Sequence, residues 1–142
     1  MDIAKLLEAL EDKTNEHLLK FTPKKIKELN AEMIGKIEIV DNKTKREILK
    51  KLDNYKYVDE MDELKYGTYI RWIPLDDIDN IHLTKGAIFC EIKITDDGVY
   101  LICKNYGNSH KYFRVKFDEC LVFQKLTNSE LVLLNAIAEL EK

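Results

Sequence analysis

The sequence predicts an α+β protein: N-terminal amphipathic helices, a small five-stranded antiparallel β-barrel, and a C-terminal helix that caps it. Three observations carry this. Apolar residues recur at helical spacing as far as Leu52, the period falls to two between Gly67 and Leu126, and a capping box then opens one last helix.

Ile3, Leu6, Leu7 and Leu10, followed by Leu18 and Phe21, lie on helical spacing around a polar stretch from Asp12 to Glu16, which suits one long helix or two short ones. Thr22-Pro23 starts the next helix: a hydroxyl caps free amides, and proline tolerates the first helical position. Ile26, Leu29 and Met33 share its apolar face, and Gly35 is expected to supply a left-handed stop. Lys36 to Val40 alternates and is expected to form a brief strand. A third helix opens at Asp41 or Asn42, with Thr44 and Glu47 at capping-box spacing and Ile48, Leu49 and Leu52 as its stripe. An acidic hinge, Val58 to Leu64, separates a helical N-terminal region, residues 1–63, from the small β-barrel and C-terminal helix, residues 64–142.

The strands are expected at Thr68–Ile73, Ala87–Thr95, Val99–Asn105, Lys111–Phe117 and Cys120–Leu126. Pro74 lacks a ladder donor and ends the first. Asp96-Asp97-Gly98 between alternating hydrophobics is a hairpin turn, and a looser turn spans Tyr106 to His110. Strands this short bury their apolar side most economically by curling. Thr127-Asn128-Ser129-Glu130 then opens a helix reaching Leu140, which packs on one end of the barrel or on the N-terminal helices.

The chain has 142 residues, 45% apolar and 35% charged, enough for one compact core without staples. Its N-terminus is acidic and amphipathic, unlike a signal peptide, and no apolar run approaches a membrane span. Three cysteines, Cys90, Cys103 and Cys120, are odd in number and read as small buried thiols in a reducing, cytoplasmic setting. Net charge is −3 but unevenly spread: residues 20–56 carry +5 and residues 57–82 carry −5. The basic block (Lys20, Lys24, Lys25, Lys27, Lys43, Lys45, Arg46, Lys50 and Lys51) marks either a nucleic-acid or partner contact or a pair of solvated helix faces.

No motif for chemistry stands out. The cysteines lie 13 and 17 residues apart and His17, His82 and His110 are scattered, unlike a zinc site. Asp76, Asp77 and Asp79 lack the glycine turn and distal glutamate of a calcium loop. There is no nucleophile elbow and no glycine-rich phosphate cradle. The expectation is a non-enzyme with no cofactor and no metal.

The functional signal is one side of the expected barrel. Alternation places Ile88, Cys90, Ile92, Ile94, Val99, Leu101, Cys103, Phe113, Val115 and Phe117 inward. The opposite side then carries Tyr69, Arg71, Phe89, Lys93, Tyr100, Lys104, Tyr112, Arg114 and Lys116. Rings flanked by cations anchor protein partners, or stack bases while neutralising phosphates. The competing expectation is that the helices cover these rings as a second core. Trp72 shares a face with Ile70 and is expected to be buried.

Tyr66-Gly-Thr-Tyr-Ile-Arg-Trp-Ile73, with Leu83-Thr-Lys-Gly86, Ile92-Lys-Ile94, Asp97-Gly98, Cys103-Lys-Asn105 and Val122-Phe-Gln-Lys-Leu-Thr127, resembles small uncharacterised proteins of large nucleocytoplasmic DNA viruses. The resemblance covers residues 64–140 and leaves the N-terminal helices unmatched. It implies a viral protein of the host cytoplasm or the virion, and brings no activity with it. At fold level the strand plan is similar to SH3-like and Tudor-like barrels. The expected function is a non-catalytic binding or assembly module that contacts a protein partner or itself and no membrane, which the resemblance would make a viral structural or virus-factory protein. The alternative is nucleic-acid binding through the same side and the lysine-rich helices.

Overall fold

The computed structural model describes residues 2–105, 107 and 111–142. Helix α1 (Ile3–Glu11) is capped by Asp2, whose carboxylate accepts from the Lys5 amide. Asp12 ends it and caps a 3-10 turn, Lys13–Leu18. Thr22 caps α2 (Pro23–Gly35) by accepting from the Lys25 amide, with Pro23 in the first turn where no donor is needed. Asp41 caps α3 (Asn42–Lys51), accepting from the Thr44 amide at 2.7 Å.

Three local expectations are corrected here. Gly35 remains inside α2 and the chain leaves through Lys36 in right-handed geometry, so no left-handed stop is used. Residues 36–40 form turns rather than a strand, burying Ile37 and exposing Ile39. The Asp41 cap takes the place of a Thr44–Glu47 box, because a carboxylate directly before the helix reaches the free amides first.

Six strands follow: β1 (Tyr55–Tyr57), β2 (Tyr69–Pro74), β3 (Ala87–Thr95), β4 (Gly98–Lys104), β5 (Tyr112–Lys116) and β6 (Cys120–Lys125). They form one antiparallel sheet in the order β1-β6-β2-β3-β4-β5. The expected five-stranded closed barrel is therefore corrected to an open six-stranded sheet with β1 and β5 as its edges. The sheet still curls: the Trp72 ring of β2 lies 6.0 Å from Phe113 of β5, although β3 and β4 separate these strands in the hydrogen-bonded order. The curled interior holds Val58, Leu64, Ile70, Trp72, Ala87, Phe89, Leu101, Cys103, Val115 and Val122, with Trp72 buried.

Parity in β3 differs from the expected pattern. A bulge between Phe89 and Glu91 inserts one residue, so Ala87 and Phe89 point inward before it and Ile92, opposite Leu101, packs on the core after it. Ile88 and Cys90 are only half-buried, and Ile94, near the strand end, is 68% exposed. The turn Asp96-Asp97 joins β3 to β4, with Gly98 as the first residue of β4, paired with Thr95. Gly98 has φ 130°, and a Cβ there would meet Asp118 Oδ2 at 2.5 Å; that carboxylate accepts from the Val99 amide. The expected turn at Tyr106–His110 lies outside the described residues except for Gly107.

The helices cover selected parts of the sheet. Ile34, Ile37, Ile48 and Leu52 from α2, α3 and their flanks pack on Ile73, Leu121 and Phe123, so β6 is buried on both sides. Helix α4 (Asn128–Leu140) opens with the expected box between Thr127 and Glu130. Its Leu133 and Leu134 join Ala9, Leu18 and Ile26, so it packs on the N-terminal helices. Residues on both sides of position 63 share these layers: β1 pairs with β6, and α1 lies against α4. Among the described residues no helix is long and apolar enough to cross a membrane.

Candidate functional site

Helices α2 and α3 cover the β6–β2 half of the outer side and leave the β3–β4–β5 half in solvent. On that exposed half the antiparallel register builds three cross-strand rows. Lys93, Tyr100 and Lys116 form one, Glu91, Ile102 and Arg114 the second, and Ile88, Lys104 and Tyr112 the third. Side chains directly opposite or diagonal on one side of a sheet interact. Accordingly the Arg114 guanidinium lies 4.8 Å from the Tyr100 ring centroid, and the Lys116 ammonium lies 6.0 Å from it.

The electrostatics of this surface are cationic. Lys116 is held by Glu119 at 3.3 Å, a hydrogen-bonded pairing that keeps its ammonium above the usual lysine pKa. Among the described residues, Lys93, Lys104 and Arg114 have no carboxylate within ion-pair range. Tyr112 is 62% exposed and keeps an open ring.

Six of the nine residues expected on the binding side therefore meet on β3–β5: Lys93, Tyr100, Lys104, Tyr112, Arg114 and Lys116. The other three are engaged elsewhere. Phe89 is fully buried, because the bulge turns it inward and Tyr66 stacks on its ring at 5.4 Å. The Tyr69 hydroxyl donates to the Lys85 carbonyl at 2.9 Å. Arg71 donates from Nε to the Thr84 carbonyl at 2.9 Å and from its terminal nitrogen to the Lys51 carbonyl at 3.4 Å, clamping the 75–86 loop and the end of α3 to the sheet. Gly86 is required in that loop, since its φ is 92° and a Cβ would collide with the Ile70 carbonyl.

A second polar cluster, absent from the sequence reading, sits where the N-terminal helices meet the sheet. Lys56 of β1 is buried and pairs with Glu63 at 2.9 Å, with its ammonium 4.7 Å from the Phe21 ring centroid. Lys65 pairs with buried Glu130 at 3.3 Å and donates to Asn15 Oδ1 at 2.6 Å. Gln124 accepts from the Lys65 amide and the Thr68 hydroxyl and donates to the Glu63 carbonyl. Burial, reinforced by the Lys56 charge, pushes the His17 imidazole below its usual pKa. Burial alone would raise Glu63, but hydrogen bonds from Lys56 and the Glu60 amide hold it below the usual carboxylate value.

This cluster joins the two halves of the chain and neutralises its own charges. Among the described residues no buried side-chain nitrogen or oxygen lacks a hydrogen-bond partner. A cleft of about 400 Å³ opens beside it, lined by His17, Phe21, Met33, Tyr57, Glu60 and Glu63 among others. Only the charge alternation of Lys56 and Glu63 around an acidic hinge hinted at it, and a lysine between two tyrosines reads as a solvent-facing residue.

Asp76, Asp77 and Asp79 lie in an exposed loop where Asp77 accepts from the Asp79 amide. Among the described residues no group of three or more His, Cys, Asp or Glu side chains is placed to hold a metal ion. Burial pushes the Cys103 thiol up to about 12, with the neighbouring Cys90 adding to it, and pushes Cys120 up to about 11.

Comparisons with protein-family models, with curated proteins and with solved structures give no match to this chain.

Proposed function

We propose that this protein is a non-catalytic binding or assembly module that receives an acidic protein partner on the outer side of β3–β5. The observation that carries this reading is the convergence of Lys93, Lys104 and Arg114, none of them ion-paired among the described residues and with Glu91 the one carboxylate in their cross-strand rows, around Tyr100 and the open Tyr112 ring. Arginine and tyrosine anchor protein interfaces because each combines a flat apolar surface with a polar tip. Potentials of one sign over such a patch select partners of the other sign.

Base stacking is the weaker use of the same surface. A stacking platform needs several uncovered rings. Here Phe89 is inside, the Tyr69 hydroxyl is tied down, and Arg114 lies over Tyr100, which leaves Tyr112. Nucleic-acid binding is therefore treated as an outcome of the test. A role as a viral structural or virus-factory protein, in the host cytoplasm or the virion, rests on the sequence resemblance alone. The likeness to SH3-like and Tudor-like barrels rests on the sequence alone, since the sheet is six-stranded and open. Fold analogy of that kind assigns no ligand.

The test is fluorescence anisotropy at low salt, using labelled polyglutamate and labelled single- and double-stranded oligonucleotides. The proposal predicts that polyglutamate binds and that R114E/K116E abolishes this while leaving the fold intact. Oligonucleotide binding with a steep loss in salt, and no response to polyglutamate, would replace the proposal with nucleic-acid recognition.

A further inference from the structure

The two edges of the sheet are treated differently. Edge β1 is closed by a side chain: buried Asn30 of α2 donates from Nδ2 to the Tyr55 carbonyl at 2.9 Å and accepts at Oδ1 from the Tyr57 amide at 2.9 Å. Its carboxamide stands where the next strand's peptide group would be. Among the described residues edge β5 has no equivalent and pairs with β4 alone. Its inward side leaves Phe113 half-buried at the rim of the core, while Tyr112 and Arg114 of its outward side are exposed.

From this asymmetry we propose that the partner binds as an added β-strand along β5, as an extended segment with acidic residues on one side and apolar residues on the other. This inference rests on the acidic-partner reading and specifies its geometry. Main-chain hydrogen bonds to an open edge supply affinity, and alternate side chains supply specificity. On the outer side the incoming acidic residues meet Arg114 and Lys116, and on the inner side the apolar residues cover what remains exposed of Phe113. A second copy of the chain fits this edge less well than an acidic segment. In the symmetric antiparallel pairing of two β5 edges centred on Arg114, that residue would face its own copy, and like charges placed opposite one another destabilise a ladder. Cations on an edge also deter unspecific strand pairing, so the same residues reject most sequences and admit an acidic one.

The experiment titrates full-length protein into labelled, terminally blocked Glu-Val-Glu-Val-Glu-Val peptide, followed by anisotropy. Two N-methylated forms accompany it, one methylated at every Glu nitrogen and one at every Val nitrogen. In a bound strand only alternate amides face β5, so one form should lose at least about tenfold in affinity while the other binds like the parent. R114E/K116E should lose the parent peptide as well. Equal binding of all three peptides overturns strand addition and leaves the acidic-partner reading standing. Failure of the parent peptide while polyglutamate binds overturns strand addition likewise, and failure of polyglutamate itself overturns the reading beneath it.

Discussion

Replacing Glu130 tests how the N-terminal helices are fastened to the sheet. Glu130 is 2% exposed and has two functions: Oε1 accepts from the Thr127 amide at 2.8 Å in the capping box, and Oε2 lies 3.3 Å from the Lys65 ammonium. In Glu130→Ala both are lost. The cap contributes about 1 kcal/mol. Stranding one member of a buried ion pair costs ~3–5 kcal/mol, but the Lys65 side chain is 18% exposed and keeps Asn15 Oδ1 at 2.6 Å, so about 2 kcal/mol is the better figure here. The total is about 3 kcal/mol. Glu130→Gln keeps an acceptor for the Thr127 amide and loses only the charge, about 2 kcal/mol. Urea unfolding at neutral pH, followed by fluorescence of the single tryptophan, Trp72, and by far-ultraviolet circular dichroism, separates the two variants. With a denaturant slope of about 1.5 kcal/mol/M, the alanine variant should unfold about 2 M earlier. A loss below about 1 kcal/mol for alanine, or equal losses for both variants, would refute the assignment of separate cap and ion-pair contributions.

Four further outcomes follow from the same structure. His17 has a folded pKa below its unfolded value, so stability should fall as pH drops below about 6.5, where only the unfolded chain gains the proton; Glu63, also lowered, adds a further loss below about 4.5, and pH-resolved urea midpoints with H17Q should remove the first phase alone. The Cys103 thiol, at about 12 and buried, should resist alkylation at pH 8 in the native protein and react in urea, as mass spectrometry of labelled peptides would show. Gly98→Ala forces an unfavourable φ of 130° and a clash with Asp118, and should cost about 1–3 kcal/mol in the same urea assay. Arg114→Ala, on an exposed strand position, should change stability by less than about 1 kcal/mol while weakening the acidic peptide, which thermal melts and anisotropy report separately.

What was legible in the sequence was local chemistry. Thr22-Pro23, the Thr127–Glu130 box and the Asp96-Asp97-Gly98 turn each satisfy backbone groups within a few residues, and each occurs where its residue types point. The strand spans at Ala87–Thr95 and Cys120 onward followed from the period alone. What failed depends on partners distant in the chain. β1 is three residues with a lysine at its centre, and it becomes a strand because Lys56 finds Glu63 and the edge finds Asn30. The β3 bulge is hidden by four consecutive apolar residues, Ala87, Ile88, Phe89 and Cys90, which leave parity undecided; only the pairing shows the extra one, residues 88–95 of β3 lying against residues 98–104 of β4. That shift removed Phe89 from the candidate surface. Arg71 and Tyr69 left it because their polar tips reach backbone carbonyls of Thr84 and Lys85, a contact set by loop geometry that periodicity does not encode. The cations of β4 and β5 share one side because that hairpin pairs without a register shift.

The most direct measurement is an amide and side-chain chemical-shift map of the full-length protein titrated with the Glu-Val-Glu-Val-Glu-Val peptide. The account predicts that the shifted resonances cluster on Tyr112 to Lys116, Tyr100 and Lys93, with the amides of β5 gaining protection from hydrogen exchange. Shifts confined to the groove between α2 and α3, around Lys27, Arg46 and Lys50, or no shifts at all, would contradict it.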